Sequence, residues 1–181
     1  MSRLAQRLGL TRYEADEHYK RALEAYNKNE LEHARQEMTY AIELLPTNAE
    51  YYAARGLFHL EDSHFDEAQT DFEQALKLYP YEMLAHYGRG RIAYRNRNWE
   101  EALAHFADAY RADPERPETL YHLALTYHHL GRNALGLSYM QQAAARFDAQ
   151  GNTKTRRNAE RWIKEMSRLA QEEGKRLPGP S

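Results

Sequence analysis

The sequence predicts an all-α chain: a solenoid of four helix–turn–helix repeats closed by a C-terminal capping helix. Three observations carry that prediction. Pro46, Pro80 and Pro114 stand 34 residues apart, twice over. Five series of side chains keep the same step, and repetition at one period sets the architecture before any local signal is weighed. After the last repeat, Ala159, Trp162, Ile163, Met166, Leu169 and Ala170 form an apolar stripe at helical spacing.

Small residues make up three of the series: Ala22, Gly56, Gly90, Ala124; Ala34, Ala68, Ala102, Gly136; and Ala41, Ala75, Ala109, Ala143. Large apolar residues make up the fourth, Met38, Phe72, Phe106 and Met140. The fifth, Leu31, Phe65 and Trp99, ends at Asn133. Within the second unit a first helix runs from Ala49 to about Leu60, before the polar break Glu61-Asp62-Ser63-His64. Phe65, Ala68, Phe72, Ala75 and Leu76 then share one face of a second helix with a period of about 3.6. Pro80 follows the last turn, where a helix cannot continue. Similar breaks recur at Asn27–Glu30, Arg95–Asn98 and Leu130–Asn133. Thr11 with Glu14, and Thr47 with Glu50, read as capping boxes ahead of the first helices of units one and two. Pro117 suits the first turn of a helix in unit four. Ala22, Gly56, Gly90 and Ala124 should face the Ala34 series across each hairpin, because helices approach closely only where little side chain stands at the crossing.

Ala34/Met38/Pro46, Ala68/Phe72/Pro80 and Ala102/Phe106/Pro114 match the second half of a known 34-residue pattern, and the chain resembles the tetratricopeptide repeat family. The first half matches less well. The family's Trp place holds His18, Tyr52, His86 and Leu120, its Leu place Arg21, Arg55, Arg89 and Leu123, and its Tyr place Ala25, His59, Ala93 and Tyr127. The fourth unit departs most, with Gly136 inside a helix, Asn133 where an aromatic is expected and Asp148 in place of Pro. The resemblance implies a right-handed superhelical solenoid over 15–150, in units 15–48, 49–82, 83–116 and 117–150. An N-terminal segment of 1–14 precedes it, a capping helix within 151–174 covers its last apolar face, and 175–181 forms a mobile tail. Residues 2–9 are expected to form a short helix with Leu4 and Leu8 on one side, covering the first unit or reaching a neighbouring chain.

Composition excludes several functions. The chain has 181 residues and no cysteine, which removes disulfides, cysteine-ligated metals and thiol nucleophiles. Mean hydropathy is −0.92, and no apolar run is long enough to span a membrane. The N-terminus lacks the apolar stretch of a signal peptide, so a cytoplasmic location is expected, with membranes reached only through a partner. Residues 1–13 hold three arginines and no acid, and 151–181 hold eight basic and four acidic residues. The 14–150 stretch holds 14 basic and 23 acidic residues, a net of −9. An acidic centre gives poor footing for nucleic acid. His122, His128 and His129 lack the spacing of a helical zinc site, Gly88-Arg-Gly90 has no preceding strand, and no Gly-x-Ser-x-Gly elbow exists. No metal, cofactor or enzymatic activity is expected.

In such a stack the first helices line the concave wall. Repeat phase puts Asp16, Tyr19, Lys20, Leu23, Tyr26 and Asn27 there from unit one, and Glu50, Ala53, Ala54, Leu57, Leu60 and Glu61 from unit two. Unit three adds Leu84, Tyr87, Gly88, Arg91, Tyr94 and Arg95, and unit four adds Glu118, Tyr121, His122, Leu125, His128 and His129. The expected ligand contacts are Tyr19, Lys20, Tyr26, Leu57, Tyr87, Arg91, Tyr94, Arg95, Tyr121, His122 and His128. Ala53, Ala54 and Gly88 leave room for a bound chain. Tyr and Arg are enriched at binding hot spots, and Arg91 with Arg95 suits bidentate recognition of carboxylates. The function expected is a protein-interaction module that holds a peptide segment or helix, acidic in part. Packing of the tyrosines against neighbouring units competes with ligand contact, and a structural subunit using its outer face or basic ends is the alternative. The family subtype that clamps the C-terminal carboxylate of heat-shock chaperones uses five positions, which here hold Asp16, Lys20, Ala54, Leu84 and Gly88. Lys20 alone suits that task.

Overall fold

The computed structural model describes residues 3–176, of which 3–8, 174 and 176 are described as backbone only. The expected common face of Leu4 and Leu8 and the tail from 177 onward lie outside the described residues. Nine helices and no strand occur among those described. They are α1 (Arg3–Asn27), α2 (Leu31–Leu44), α3 (Ala49–Glu61), α4 (Phe65–Leu78), α5 (Met83–Arg95), α6 (Trp99–Ala112), α7 (Pro117–His129), α8 (Asn133–Ala149) and α9 (Thr153–Arg176). The helices α2, α4 and α6 have the same length and begin 34 residues apart, as do α3, α5 and α7.

Each hairpin turns through one residue in the left-handed region: Asn29, Ser63, Arg97 and Gly131, with φ of 60°, 63°, 62° and 68°. The next amide then reaches back five residues. Glu30 N–H donates to the Ala25 carbonyl, His64 to His59, Asn98 to Ala93 and Arg132 to Tyr127, at 2.8–2.9 Å. This Schellman geometry satisfies carbonyls that a helix end leaves unpaired.

Two expected caps differ in the structure. Thr11 and Glu14 lie inside α1, which runs unbroken from the N-terminal segment into the first unit. The good helix formers around them (Leu, Arg, Gln, Ala) outweigh a capping signal that nothing forces the chain to use. The N-cap of α3 is Asn48, not Thr47; its side chain accepts from Glu50 N–H at 3.0 Å. Pro117 occupies the first turn of α7 as expected.

The chain folds as two compact units, Met1–Arg89 and Gly90–Ser181. In the first, Ala15, Ala22, Ala25, Ala34, Met38, Ala41, Tyr51, Ala54 and Phe58 form one buried cluster. Phe72 on α4 is fully buried, and glycines make room for its ring. A Cβ on Gly56 would lie 2.7 Å from it, and one on Gly88 would land inside the ring itself. Burying a Phe or Met side chain is worth about 1.5–3 kcal/mol, so these close approaches secure much of the unit's stability. Arg55 spans α3 and α4, its Nε and Nη2 gripping the buried Asp71 carboxylate at 2.8 and 2.7 Å while Nη1 donates to Thr39 at 3.1 Å. In the second unit Gly90 gives way to Phe106, with 2.7 Å to a hypothetical Cβ. Leu120, Ala143 and Phe147 pack between α7 and α8. Ala159 and Met166 of α9 are fully buried in a second cluster with Ala124, Leu125 and Met140, with Trp162 and Ile163 alongside. Two residues expected in the tail, Lys175 and Arg176, belong to α9.

Candidate functional site

The first helices carry a wall of aromatic side chains, and within the first unit its rings are tied together. Tyr19 on α1 and Tyr51 on α3 stack at 5.3 Å. Their hydroxyls cross over: Tyr19 donates to Glu50 Oε1 at 2.6 Å and Tyr51 to Asp16 Oδ1 at 3.0 Å. Burial, then the neighbouring carboxylate, pushes both phenols up, Tyr51 to about 12. Each therefore stays a hydrogen-bond donor throughout the physiological range. Tyr26 stacks on the buried Phe58 at 4.9 Å. Lys20 is exposed and pairs with Glu17 one turn away at 2.8 Å.

Several expected wall positions turn inward. Leu57 and Tyr87 are 9% and 5% exposed, so neither presents a side chain to a ligand. Ala53 and Ala54 are buried as well, and Gly88 accommodates Phe72 instead of a bound chain. The physical reason is common to all five. A helix packed on both flanks has too narrow a free face for six wall positions per repeat, and the smallest side chains sit where the neighbouring helix comes nearest.

In the second unit Arg91 and Tyr94 of α5 are half-buried and Arg95 is exposed. The Tyr94 ring lies edge-on to Trp99, His122 and His129, at 5.1, 6.1 and 5.4 Å. Its hydroxyl shares a hydrogen bond of 2.9 Å with His129 Nε2. His129 lies flat on Trp99, centroids 4.1 Å apart. Burial, with the charges of His128 and Arg97, keeps its pKa below the ordinary histidine value. His122 donates from Nδ1 to the Glu118 carbonyl at 2.9 Å, and His128 donates from Nδ1 to Asn133 at 2.7 Å while packing on Trp162 at 5.2 Å. Tyr121, half-buried, packs edge-on to Phe147. One ring nitrogen of each histidine is thus engaged with a protein group, and the three rings form part of the aromatic wall. Tyr51, Trp99 and Trp162 were not among the expected contacts; Trp99, the first residue of α6, was legible only as one of a series of apolar anchors.

What this arrangement offers chemically is an amphipathic surface of rings already held in place, so that a ligand ordering them loses little conformational freedom. No helix among the described residues is long and apolar enough to cross a membrane.

The family model described as tetratricopeptide repeat matches residues 54–117 and 93–152. No curated protein matches the chain. Among solved structures, the Arabidopsis OM64 TPR domain aligns with a TM-score of 0.60 and 24% identity, over 66% of this chain and 98% of that one. Pseudomonas aeruginosa PilF aligns with a TM-score of 0.66 and 16% identity, over 86% and 78%. The first TPR of Spaghetti (RPAP3), bound to the HSP90 peptide SRMEEVD, aligns with a TM-score of 0.59 and 18% identity, over 66% and 94%. At these identities the likeness is one of fold. The family match spans more than half of the sequence, with the 34-residue hairpin step running through it: the chain belongs to the tetratricopeptide repeat family.

Proposed function

We propose that this protein is a non-enzymatic, cytoplasmic interaction module, an adaptor, scaffold or assembly factor, that holds a segment or helix of another protein on its first-helix wall. The observation that carries the reading is the cluster of Tyr94, Tyr121, His122 and His128 beside Arg91 and Arg95. Aromatic and arginine side chains dominate binding energy where they are rigid and partly desolvated. In the first unit Tyr19, Lys20 and Tyr26 are the corresponding contacts. The arginines favour a partner carrying carboxylates. A structural neighbour bound to a peptide with two glutamates and an aspartate supports that ligand class, although four of the five clamp positions here hold Asp16, Ala54, Leu84 and Gly88. The HSP90 peptide itself is therefore not proposed as the ligand.

The test is affinity capture from the native source with the wild type and with Arg91→Glu/Arg95→Glu. Partner recovery should drop sharply while the helical circular-dichroism signal is retained. Unchanged recovery rejects the reading.

A second reading, a structural subunit that docks through its outer face and basic ends, draws on α9. Lys154, Arg157, Arg161 and Lys164 are exposed on the side away from buried Ala159 and Met166. It expects co-purification at fixed stoichiometry, lost on deletion of residues 1–10 or 175–181 and indifferent to Arg91 and Arg95.

A further inference from the structure

A cleft of about 460 Å3 opens in the first unit where the ends of α2 and α4 meet the starts of α3 and α5. Its volume lies in the range of ligand sites, roughly 300–1,000 Å3, which combine apolar walls with a few placed polar groups. Leu45, Leu78, Ala49 and Tyr79 supply the apolar wall, and Glu50 and Glu82 the charge. No Lys, Arg or His lines it.

Neither carboxylate meets a cationic side chain among the residues that line the cleft. Glu50 accepts the Tyr19 hydroxyl, and Glu82 accepts one long bond, 3.3 Å, from Leu84 N–H. Glu82 precedes α5 and that bond caps its first turn, whereas α3 has the Asn48 side chain as its cap. The C-terminal ends of α2 and α4 reach the cleft at Leu45 and Tyr79; α2 has no basic residue in its last turn, and α4 has Lys77. Helix C-termini carry partial negative and N-termini partial positive charge, so the ends of α2 and α4 and the starts of α3 and α5 offset each other and the two carboxylates set the charge of the cleft. Burial raises the pKa of Glu82 against the opposing bond from the Leu84 amide, and the charge of Glu50 adds a smaller upward push that exceeds the pull of His86. Tyr79 is half exposed, its ring edge-on to Tyr81 at 5.9 Å, and is open to a planar cation.

We propose that this cleft is a binding subsite for an arginine side chain of a partner polypeptide, its stem along Leu45 and Leu78 and its guanidinium between Glu50 and Glu82. Arginine suits the site because its planar fork donates to two acceptors at once and stacks on an aromatic face. The subsite is distinct from the wall around Arg91 and Arg95.

The experiment is a titration of the full-length, isotope-labelled protein with N-acetyl-argininamide, followed by amide chemical shifts. N-acetyl-citrullinamide, which has nearly the same shape without the charge, is the control. Saturable shifts are expected at the amides of residues 45–50 and 78–84, with citrulline weaker by about tenfold or more, the usual effect of losing a charged hydrogen bond in a partly buried site. Glu82→Gln, and Glu50→Gln with Glu82→Gln, should weaken arginine binding by a similar factor while the spectrum stays dispersed. Arg91→Glu/Arg95→Glu should leave it unchanged, which separates this subsite from the wall. Absence of shifts at those amides, equal binding of citrulline, or no loss in the double Gln variant would overturn the proposal.

Discussion

Asn133, at the first position of α8, donates its side-chain amide to the Glu173 carboxylate on α9, forty residues further on. Its carbonyl oxygen meanwhile accepts from His128 Nδ1 at 2.7 Å. Asn133 is 5% exposed and stands where earlier repeats carry Leu31, Phe65 and Trp99. The break in that series is therefore the polar attachment of the capping helix. Asn133→Leu restores the repeat pattern, yet it is expected to destabilise the protein by about 1–3 kcal/mol, because two polar partners lose their bonds in a partly buried site. Urea unfolding measures this, and Glu173→Leu in the same background should recover part of the loss.

Gly88 and Phe72 form a size-matched pair. A methyl group at position 88 overlaps the Phe72 ring, and α5 and α4 cannot separate without opening the core. Gly88→Ala is expected to cost about 1–3 kcal/mol through overpacking, despite the higher helix propensity of alanine. Combining it with Phe72→Leu should give less than the sum of the single losses, which a double-mutant cycle in denaturant reads directly.

Arg97 holds a φ of 62° at a turn where Gly131 occupies the equivalent place in the next hairpin. A side chain in the left-handed region is strained by roughly 1–2 kcal/mol, and glycine relieves this at some entropic cost of its own. Arg97→Gly should therefore raise stability by about 0.5–1 kcal/mol, and Gly131→Ala should lower it by at least as much. Thermal midpoints of the two variants test the opposite signs.

Glu82 titrates above the ordinary glutamate value in the folded protein. Unfolding returns it to water and to the ordinary value. Below both values the carboxyl is neutral in either state and burial costs it little. As pH rises through the interval the unfolded chain gives up its proton first, so stability declines, and above it the folded state carries the full penalty of a poorly paired carboxylate. Glu82→Gln should accordingly be more stable than the wild type at pH 7, with the difference closing as pH falls towards 4. Denaturant midpoints across that range check the trend; a difference that grows on acidification would contradict the burial argument.

Much of the architecture is legible in the residues alone. The 34-residue step, the small residues at the hairpin crossings, Pro117 at the start of α7 and the amphipathic stripe of α9 are local properties. Each depends on side chains a few positions apart on one helix, and the backbone period converts spacing into a face. The wall was less legible. Tyr19, Tyr26, Tyr94, Tyr121, His122 and His128 remain partly accessible, whereas Leu57, Tyr87, Ala53, Ala54 and Gly88 are closed off by neighbours.

What the sequence by itself determined is the repeating unit: which residues form helices, where hairpins turn and which stripe of each helix is apolar. Local signals in competition settled that α1 runs through Thr11 and that Asn48 caps α3, but tertiary structure alone decided that Asn133 serves the cap and that Glu50 and Glu82 share a cleft. The physical reason is range. Helix formation responds to neighbours within a turn, but the direction a boundary side chain faces depends on the volume and charge of a partner some thirty residues away.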